Sequence, residues 1–223
     1  NRFLVELDEL ARQMARFGFV NSLAQTLCKL TAAGVPDIYQ GNELWDDSLV
    51  DPDNRRAVNY ELRRQMLEEV RAWWTDPGAL AARLLEPLSN LDDGRCKLHL
   101  IARVLDHRRE HEALFREGRY LPLRVRGEHA AHVIAFARLL GEEWAISVVP
   151  RLCVRLHGGL EGVAGMAAPW RDTRVVLPAR LPGGVSVSHL DGRTVVSTPE
   201  GAESTLAVSD LLAHFPVALV VPG

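Results

Sequence analysis

The sequence predicts an α+β fold, with a mostly helical first half followed by an all-β sandwich. Apolar residues in the first half repeat at the three-four spacing of helices, whereas those after Gly118 alternate along short runs. Turns that contain glycine and proline separate these later runs, which is typical of antiparallel strands. The change of period predicts a boundary near residue 118, between a helical domain at 1–118 and a sandwich at 119–223.

The first 34 residues predict two helices. An apolar stripe at helical spacing marks the first helix: Phe3, Leu7, Leu10, Met14 and Phe17. Gly18 is expected to end that helix in a left-handed conformation. Ser22 and Gln25 have the spacing of a capping box, which predicts the start of a second helix that ends near Gly34.

Three more helices are predicted before the boundary. The first is marked by apolar spacing across 59–74. Asp76 followed by Pro77 is typical of an N-cap with proline at the first helical position, and this helix is expected to extend to about Glu86. The third covers about 95–115 and carries many charges, so its outer face is expected to be solvated.

The short run 35–39 predicts a strand, because it begins near a proline and is rich in residues that favour strands. A long polar loop follows at 40–56. Ligands of α/β proteins lie beyond the carboxyl ends of strands, where this loop is placed. Carboxylates and guanidinium groups match adjacent sugar hydroxyls, and an aromatic ring can cover a sugar face. The predicted carbohydrate-binding residues are Tyr39, Trp45, Asp51, Asp53, Arg55 and Arg56.

A structural interpretation of the same loop stays open. Asp51, Asp53 and Asn54 could form turns around Pro52 while the neighbouring arginines pair with the acids. The charged residues of the loop would then serve only to stabilise its own conformation.

The second half predicts short strands separated by turns. The expected strands are 120–125, 132–139, 144–150, 173–178, 185–190, 193–198, 205–208 and 216–221. The segment GGLEGVAGMAA at 158–168 is rich in glycine and alanine and predicts a loop.

Composition excludes several classes of function. The 26 basic and 29 acidic residues are mixed along the chain and give a net charge of −3, so neither a nucleic acid nor a membrane is a predicted partner. The three cysteines, Cys28, Cys96 and Cys153, are far apart, which argues against a disulfide framework and favours a cytoplasmic location. The first residue is Asn1 rather than a methionine, so a fragment of a longer protein is expected.

No metal or other cofactor is predicted. The stretch His107-Arg-Arg-Glu110-His111 matches an inverted zinc-protease signature, H-x-x-E-H. Its charged surroundings and the lack of an identifiable third ligand favour a solvated helix face instead.

One motif resembles a known superfamily. Gly34-x-Pro36-x-x-Tyr39-x-Gly41-x-Glu43, followed by the string DPDNRR at 51–56, resembles the eighth strand and following loop of the α-amylase superfamily of (β/α)₈ barrels. Within that superfamily, three longer strings resemble the maltooligosyltrehalose synthase family: the segments at 19–60, 93–125 and 132–138. The resemblance extends over essentially the whole chain and is most specific at 19–60.

This resemblance implies a C-terminal fragment. Residues 1–118 would contain the last strand of an incomplete (β/α)₈ barrel, and a β-sandwich would follow. The implied parent is an isomerase of trehalose biosynthesis, an intramolecular transglucosylase that converts the reducing-end α-1,4 linkage of a maltooligosaccharide to α,α-1,1. In the superfamily an Asp nucleophile, a Glu acid/base and a further Asp lie after earlier strands, so the resemblance implies that all three lie outside this chain.

No catalytic residue is therefore assigned here, and the fragment alone is expected to be inactive. A catalytic pair among the loop acids is the disfavoured alternative; the acids concerned are Asp37, Glu43, Asp46, Asp51 and Asp53. A hydrolytic α-amylase relative and a non-catalytic glucan-binding module stay open as other functions. The sequence leaves open the oligomeric state, the preferred glucan length and whether the sandwich binds glucan.

Overall fold

The fold combines helices and antiparallel sheets in the predicted order. The structure, a computed structural model, describes residues 1–159, 170–181 and 183–223. The predicted loop at 158–168 lies outside the described residues, apart from Gly158 and Gly159. Of the helices in the described ranges, none combines the length and apolarity that crossing a membrane requires.

Within the described ranges the helices concentrate before residue 118. They are α1 (Arg2–Thr31), α2 (Tyr60–Trp73), α3 (Leu80–Arg83), α4 (Leu85–Ser89), α5 (Arg95–Glu110), α6 (Glu112–Glu117), α7 (Cys153–Leu156) and α8 (Val208–Leu211). Short 3₁₀ turns lie at Asp53–Arg55, Pro77–Ala79, Leu91–Asp93 and Ala130–His132.

The N-terminal segment is one long helix, so the predicted break at Gly18 is wrong. Helix α1 continues from Arg2 to Thr31. A glycine inside a helix costs roughly 1 kcal/mol. Burial of Leu23, Leu27 and Leu30, each fully buried, outweighs that cost and holds the second half of α1 in the helix.

The other predicted helices form, but with breaks. Helix α2 matches the prediction for 59–74, and Asp76 caps the next turn by accepting a hydrogen bond from Gly78 N at 3.1 Å. The helix predicted to extend to Glu86 is instead a 3₁₀ turn followed by α3 and α4. The last predicted helix is divided at His111, whose backbone angles of φ −117° and ψ 45° are not helical.

The predicted strand at 35–39 is absent from the structure. Residues 35–39 form no ladder with any described strand, and Val35 is 96% exposed. A strand needs a neighbour that accepts its backbone hydrogen bonds, and none of the described strands lies beside this run.

The second half forms two antiparallel sheets. The strands are β1 (Arg119–Pro122), β2 (Val125–Arg126), β3 (Val133–Leu140), β4 (Glu143–Pro150), β5 (Arg174–Leu177), β6 (Val185–Ser188), β7 (Thr194–Val196), β8 (Thr198–Glu200), β9 (Glu203–Ala207) and β10 (Ala218–Pro222). One sheet has the order β1-β3-β4-β10-β6-β7 and the other has the order β2-β5-β9-β8. The run predicted as a single strand at 120–125 therefore contributes to both sheets.

The central strands β4 and β10 of the six-stranded sheet are buried on both faces. In β4, Ala145 and Val149 join the core that the helices form with Leu23 and Leu27 of α1. The alternate residues of β4 join the core between the two sheets: Trp144, Ile146 and Val148. Because strand residues alternate between faces, one strand serves a helical layer and a second sheet. The helical part thus shares a core with the sheet, and the division into two domains at residue 118 stays a prediction.

Buried polar contacts also join the helical part to the sheet. Arg138 of β3 is 2% exposed, and its guanidinium donates to the carbonyl oxygens of Ala32 (3.1 Å), Phe115 (2.8 Å) and Gly118 (2.7 Å). These carbonyls lie at the C-terminal ends of α1 and α6, where helices leave acceptors unpaired. Ser147 adds a buried hydroxyl contact to Thr31 at 2.8 Å.

We expect Arg138→Met to lower the free energy of unfolding by about 3 kcal/mol, because three buried carbonyls lose a charged donor. Chemical denaturation measures the change. Arg116→Met is the matched control: Arg116 is exposed, pairs with Glu112 and Glu117, and should give no measurable loss. Equal stability of the two variants would show that Arg138 does not hold the helices on the sheet.

Candidate functional site

The first half of the 40–56 loop is anchored to two helices. Arg63 of α2 donates from Nη2 to the Gly41 carbonyl at 2.8 Å and from Nε to Glu43 at 3.1 Å. Lys97 of α5, 8% exposed, donates from Nζ to the Leu44 carbonyl at 3.0 Å. These bonds fix the backbone of the loop through residue 44 against the helical core.

Trp45 is held by packing and by a hydrogen bond. Its indole stacks on Phe19 of α1 with ring centroids 4.7 Å apart, and Nε1 donates to the Leu91 carbonyl at 2.5 Å. The Lys97 ammonium lies 5.3 Å from the ring centroid. This placement gives Trp45 a structural role, and its predicted part in sugar binding stays a prediction.

The second half of the loop presents four charged side chains to solvent. Arg55 donates to both carboxylate oxygens of Asp51, at 2.5 and 2.6 Å, and Arg56 pairs with Asp53. Both arginines are more than 70% exposed. A hydrogen bond from the Leu49 amide and the Arg56 guanidinium lower the pKa of Asp53. The cluster is thus at least partly accessible and paired within itself.

These pairs fit both interpretations of the loop. An exposed ion pair is weak, so a vicinal diol could exchange with one of its partners at small cost. The same pairs also hold the turn around Pro52. Tyr39 is 47% exposed at the start of the loop, so its ring is accessible to a ligand.

The H-x-x-E-H stretch is a solvated face only in part, because Arg109 and Glu110 are exposed whereas His107 is buried. His107 is 5% exposed, and its ring centroid lies 4.4 Å from that of His111 and 4.7 Å from that of His189. Even so, the described residues contain no group of three or more side chains that could hold a metal ion. Burial, His111 and Arg103 lower the pKa of His107 to about 4.

The sequence reasoning missed a concave feature that lies apart from the 40–56 loop. A cavity of about 510 Å³ lies between α1, the connection from α4 to α5, and the segment around α7. Aromatic side chains from distant parts of the chain line it, including Phe17, Phe19 and Trp170. None of the six predicted binding residues lines this cavity, although Trp45 stacks on Phe19 behind it.

Comparisons with known proteins agree with the resemblance. No protein-family model matches the chain. Proteins of Mycobacterium tuberculosis strains CDC 1551 / Oshkosh and ATCC 25618 / H37Rv, assigned the name maltooligosyl trehalose synthase, are 35% identical over 216 residues. The solved maltooligosyltrehalose synthase of Arthrobacter ramosus superposes with a TM-score of 0.72 at 32% identity, over 97% of this chain. The chain is homologous to a segment of the maltooligosyltrehalose synthases.

The match to the maltooligosyltrehalose synthases covers nearly all of this chain but only a small part of each relative. It covers 97% of this chain but 22% of each Mycobacterium tuberculosis relative and 24% of the Arthrobacter ramosus chain. The chain therefore spans about a quarter of the length of the relatives that it matches. Its fold, helices followed by antiparallel sheets, is the fold of that segment.

Buried histidines predict a loss of stability in acid. Burial lowers the pKa of His99 and His107 to about 4 and that of His189 to about 3. The unfolded chain therefore binds more protons, so the stability from the neutral rings is complete above about pH 6.5 and is lost as pH falls toward 4. In His107→Leu the loss between pH 7 and pH 4.5 should be smaller by about 2 kcal/mol. Denaturation at both pH values tests this, and an unchanged loss would contradict it.

Proposed function

We propose that this chain is part of a maltooligosyltrehalose synthase and that its 40–56 loop forms one side of the saccharide pocket. The observation that carries the proposal is the agreement of sequence and fold over 97% of the chain with the Arthrobacter ramosus enzyme. In the parent, the reaction would be the intramolecular transfer that turns the reducing-end α-1,4 linkage of a maltooligosaccharide into α,α-1,1.

Two surfaces of the helical half support an incomplete barrel, because each has no neighbour that covers it among the described residues. The 35–39 run is extended without a strand partner among the described strands, and Val35 is almost fully exposed. The apolar stripe on the first half of α1 is exposed as well, including Phe3, Leu7 and Met14. We infer that further barrel strands and helices of the parent cover these surfaces. The 40–56 loop would then follow the last barrel strand.

The chemistry of the reaction assigns the loop a positioning role. Asp51 and Asp53 each pair with an arginine, which disfavours the alternative of a catalytic carboxylate pair within the loop. The nucleophile and the acid/base would come from the rest of the parent. Transfer instead of hydrolysis requires that the released glucose stay in place while water is excluded. Hydrogen bonds from Arg55 and Arg56 to sugar hydroxyls would hold it.

We expect this chain alone to form no trehalosyl product from maltopentaose, because the proposed nucleophile and acid lie elsewhere in the parent. Chromatography of the products tests this, with the full-length Arthrobacter ramosus synthase as the positive control. Conversion by the purified chain at a comparable rate would place the catalytic acids within these 223 residues and contradict the proposal.

In the full-length parent, Arg55→Ala should lower trehalosyl formation about tenfold or raise the share of hydrolysis, since one charged donor to the sugar is lost. Product ratios and kcat/KM measure both effects. Arg64→Ala is the matched control, because Arg64 also forms an exposed pair, with Glu61 on α2. If both variants behave like the unmodified enzyme, the loop pairs are structural only.

A further inference from the structure

Both ends of the 40–56 loop are bonded to one side chain of α2. Arg63 donates from Nη2 to the Gly41 carbonyl at 2.8 Å and from Nε to Glu43 at 3.1 Å, where the loop begins. Its Nη1 donates to the Asn59 carbonyl at 3.2 Å, just after the loop ends and where α2 starts. One guanidinium therefore connects the beginning of the loop to its end.

The backbone also brings these two ends together. Gly41 is buried and has a φ of +92°, which residues with a side chain rarely adopt. A β-carbon at Gly41 would lie 3.4 Å from a methyl carbon of Val58 and 3.6 Å from Arg63 Nη2. The Arg63 side chain is 18% exposed, so its hydrogen bonds are partly shielded from water. The ends of the loop thus meet in a partly buried contact.

The second half of the loop depends on this contact for its position. Within the described part of the chain, the hydrogen bonds of residues 46–56 are made inside the segment 42–56. These local bonds give residues 46–56 a shape, but they do not attach that shape to a helix or a sheet. Its placement therefore follows from where the chain leaves the helical core and where it returns. Arg63 holds both points.

We infer, on the basis of the proposed role of the loop, that Arg63 is a positioning residue that sets the balance between transfer and hydrolysis. It acts through the Gly41 and Asn59 carbonyls and Glu43, which hold the charged half of the loop in place. Transfer competes with water only while the released glucose is held in a reactive position, and a displacement of about 1 Å can cost about a hundredfold in rate. Loosening the ends of the loop would therefore favour hydrolysis.

Lysine is not expected to replace Arg63. A guanidinium is a planar fork whose nitrogens donate in several fixed directions, whereas an ammonium is a single point on a flexible chain. The three acceptors of Arg63 belong to Gly41, Glu43 and Asn59, and each is bonded to a different nitrogen. The geometry of the side chain, and not its charge alone, is thus what joins the two ends.

The first test uses this chain and does not depend on any catalytic function. Arg63→Met keeps the apolar part of the side chain and removes its donors. We expect the hydrogen-bonded amides of Asn42 and Asp53 to exchange with solvent about tenfold faster, because the loop opens more often. Amide exchange in the β3 and β4 hairpin should stay unchanged and shows that the variant is folded. Arg64→Met is the matched control, since Arg64 lies on the same helix and forms an exposed pair.

The second test uses the full-length parent. Arg63→Met should raise the ratio of hydrolysis to transfer about tenfold. This ratio compares two products of the same enzyme molecules, so a smaller folded fraction alone would not change it. Arg63→Lys should show most of the same increase, and Arg64→Met should give the ratio of the unmodified enzyme.

Three results would overturn the role of Arg63. Arg63→Met could leave the exchange of the loop amides unchanged, or Arg63→Lys could give the unmodified product ratio. The third is that Arg55→Ala alters product formation while Arg63→Met does not alter the ratio, in which case the proposed function stands without this role. If neither Arg55→Ala nor Arg63→Met changes the products, the proposed role of the loop fails as well.

Discussion

A buried guanidinium holds the two halves of this molecule together. Arg138 projects from the six-stranded sheet and donates to carbonyls that end α1 and α6. The apolar contacts agree with it, because β4 and β10 alternate between the helical core and the core between the sheets. The hydrogen bonds and the apolar contacts together fix the position of α1 on the sheet. They therefore also position the wall of the cavity that α1 forms.

The loop at 40–56 exposes charged side chains while its backbone stays attached to the helical core. Its first half is bonded to α2 and α5 through Arg63 and Lys97, and Trp45 packs into the same region. Its second half contacts solvent and pairs within itself. Anchoring at one end leaves the four charged side chains of the other end in a defined place, which is the property that a binding surface needs.

Local patterns in the sequence predicted much of the fold, while contacts between distant residues explain what was missed. The hairpin of β3 and β4 and the helix α2 were predicted within a residue or two because their periodicity is strong. The edge strand β8 has no such pattern, because all three of its residues are exposed and one of them is a proline. Gly18 was misjudged because the burial that decides α1 comes from α5 and from a sheet more than a hundred residues away.

In the candidate site, too, contacts between near neighbours could be predicted from the sequence and contacts between distant residues could not. The pairing of Asp51 with Arg55 follows from their spacing, whereas the stacking of Trp45 on Phe19 and its bond to Leu91 cannot be derived from neighbours in the chain. The cavity combines Phe17, Leu91 and Trp170, which no local motif connects. The burial of His107 likewise depends on Phe115 and on His189, which lies on a distant segment.

Arg138 binds main-chain oxygens, and this affects how the sequence can change over evolutionary time. The bonds to Ala32 and Phe115 are made to their carbonyl oxygens, so Arg138 itself does not restrict the side chain at either position, although Phe115 is also a core residue. Gly118 is different, because a β-carbon there would lie 2.2 Å from the Leu114 carbonyl oxygen. Of the three acceptor positions, Gly118 is thus the one where the bond to Arg138 and the identity of the residue are directly linked.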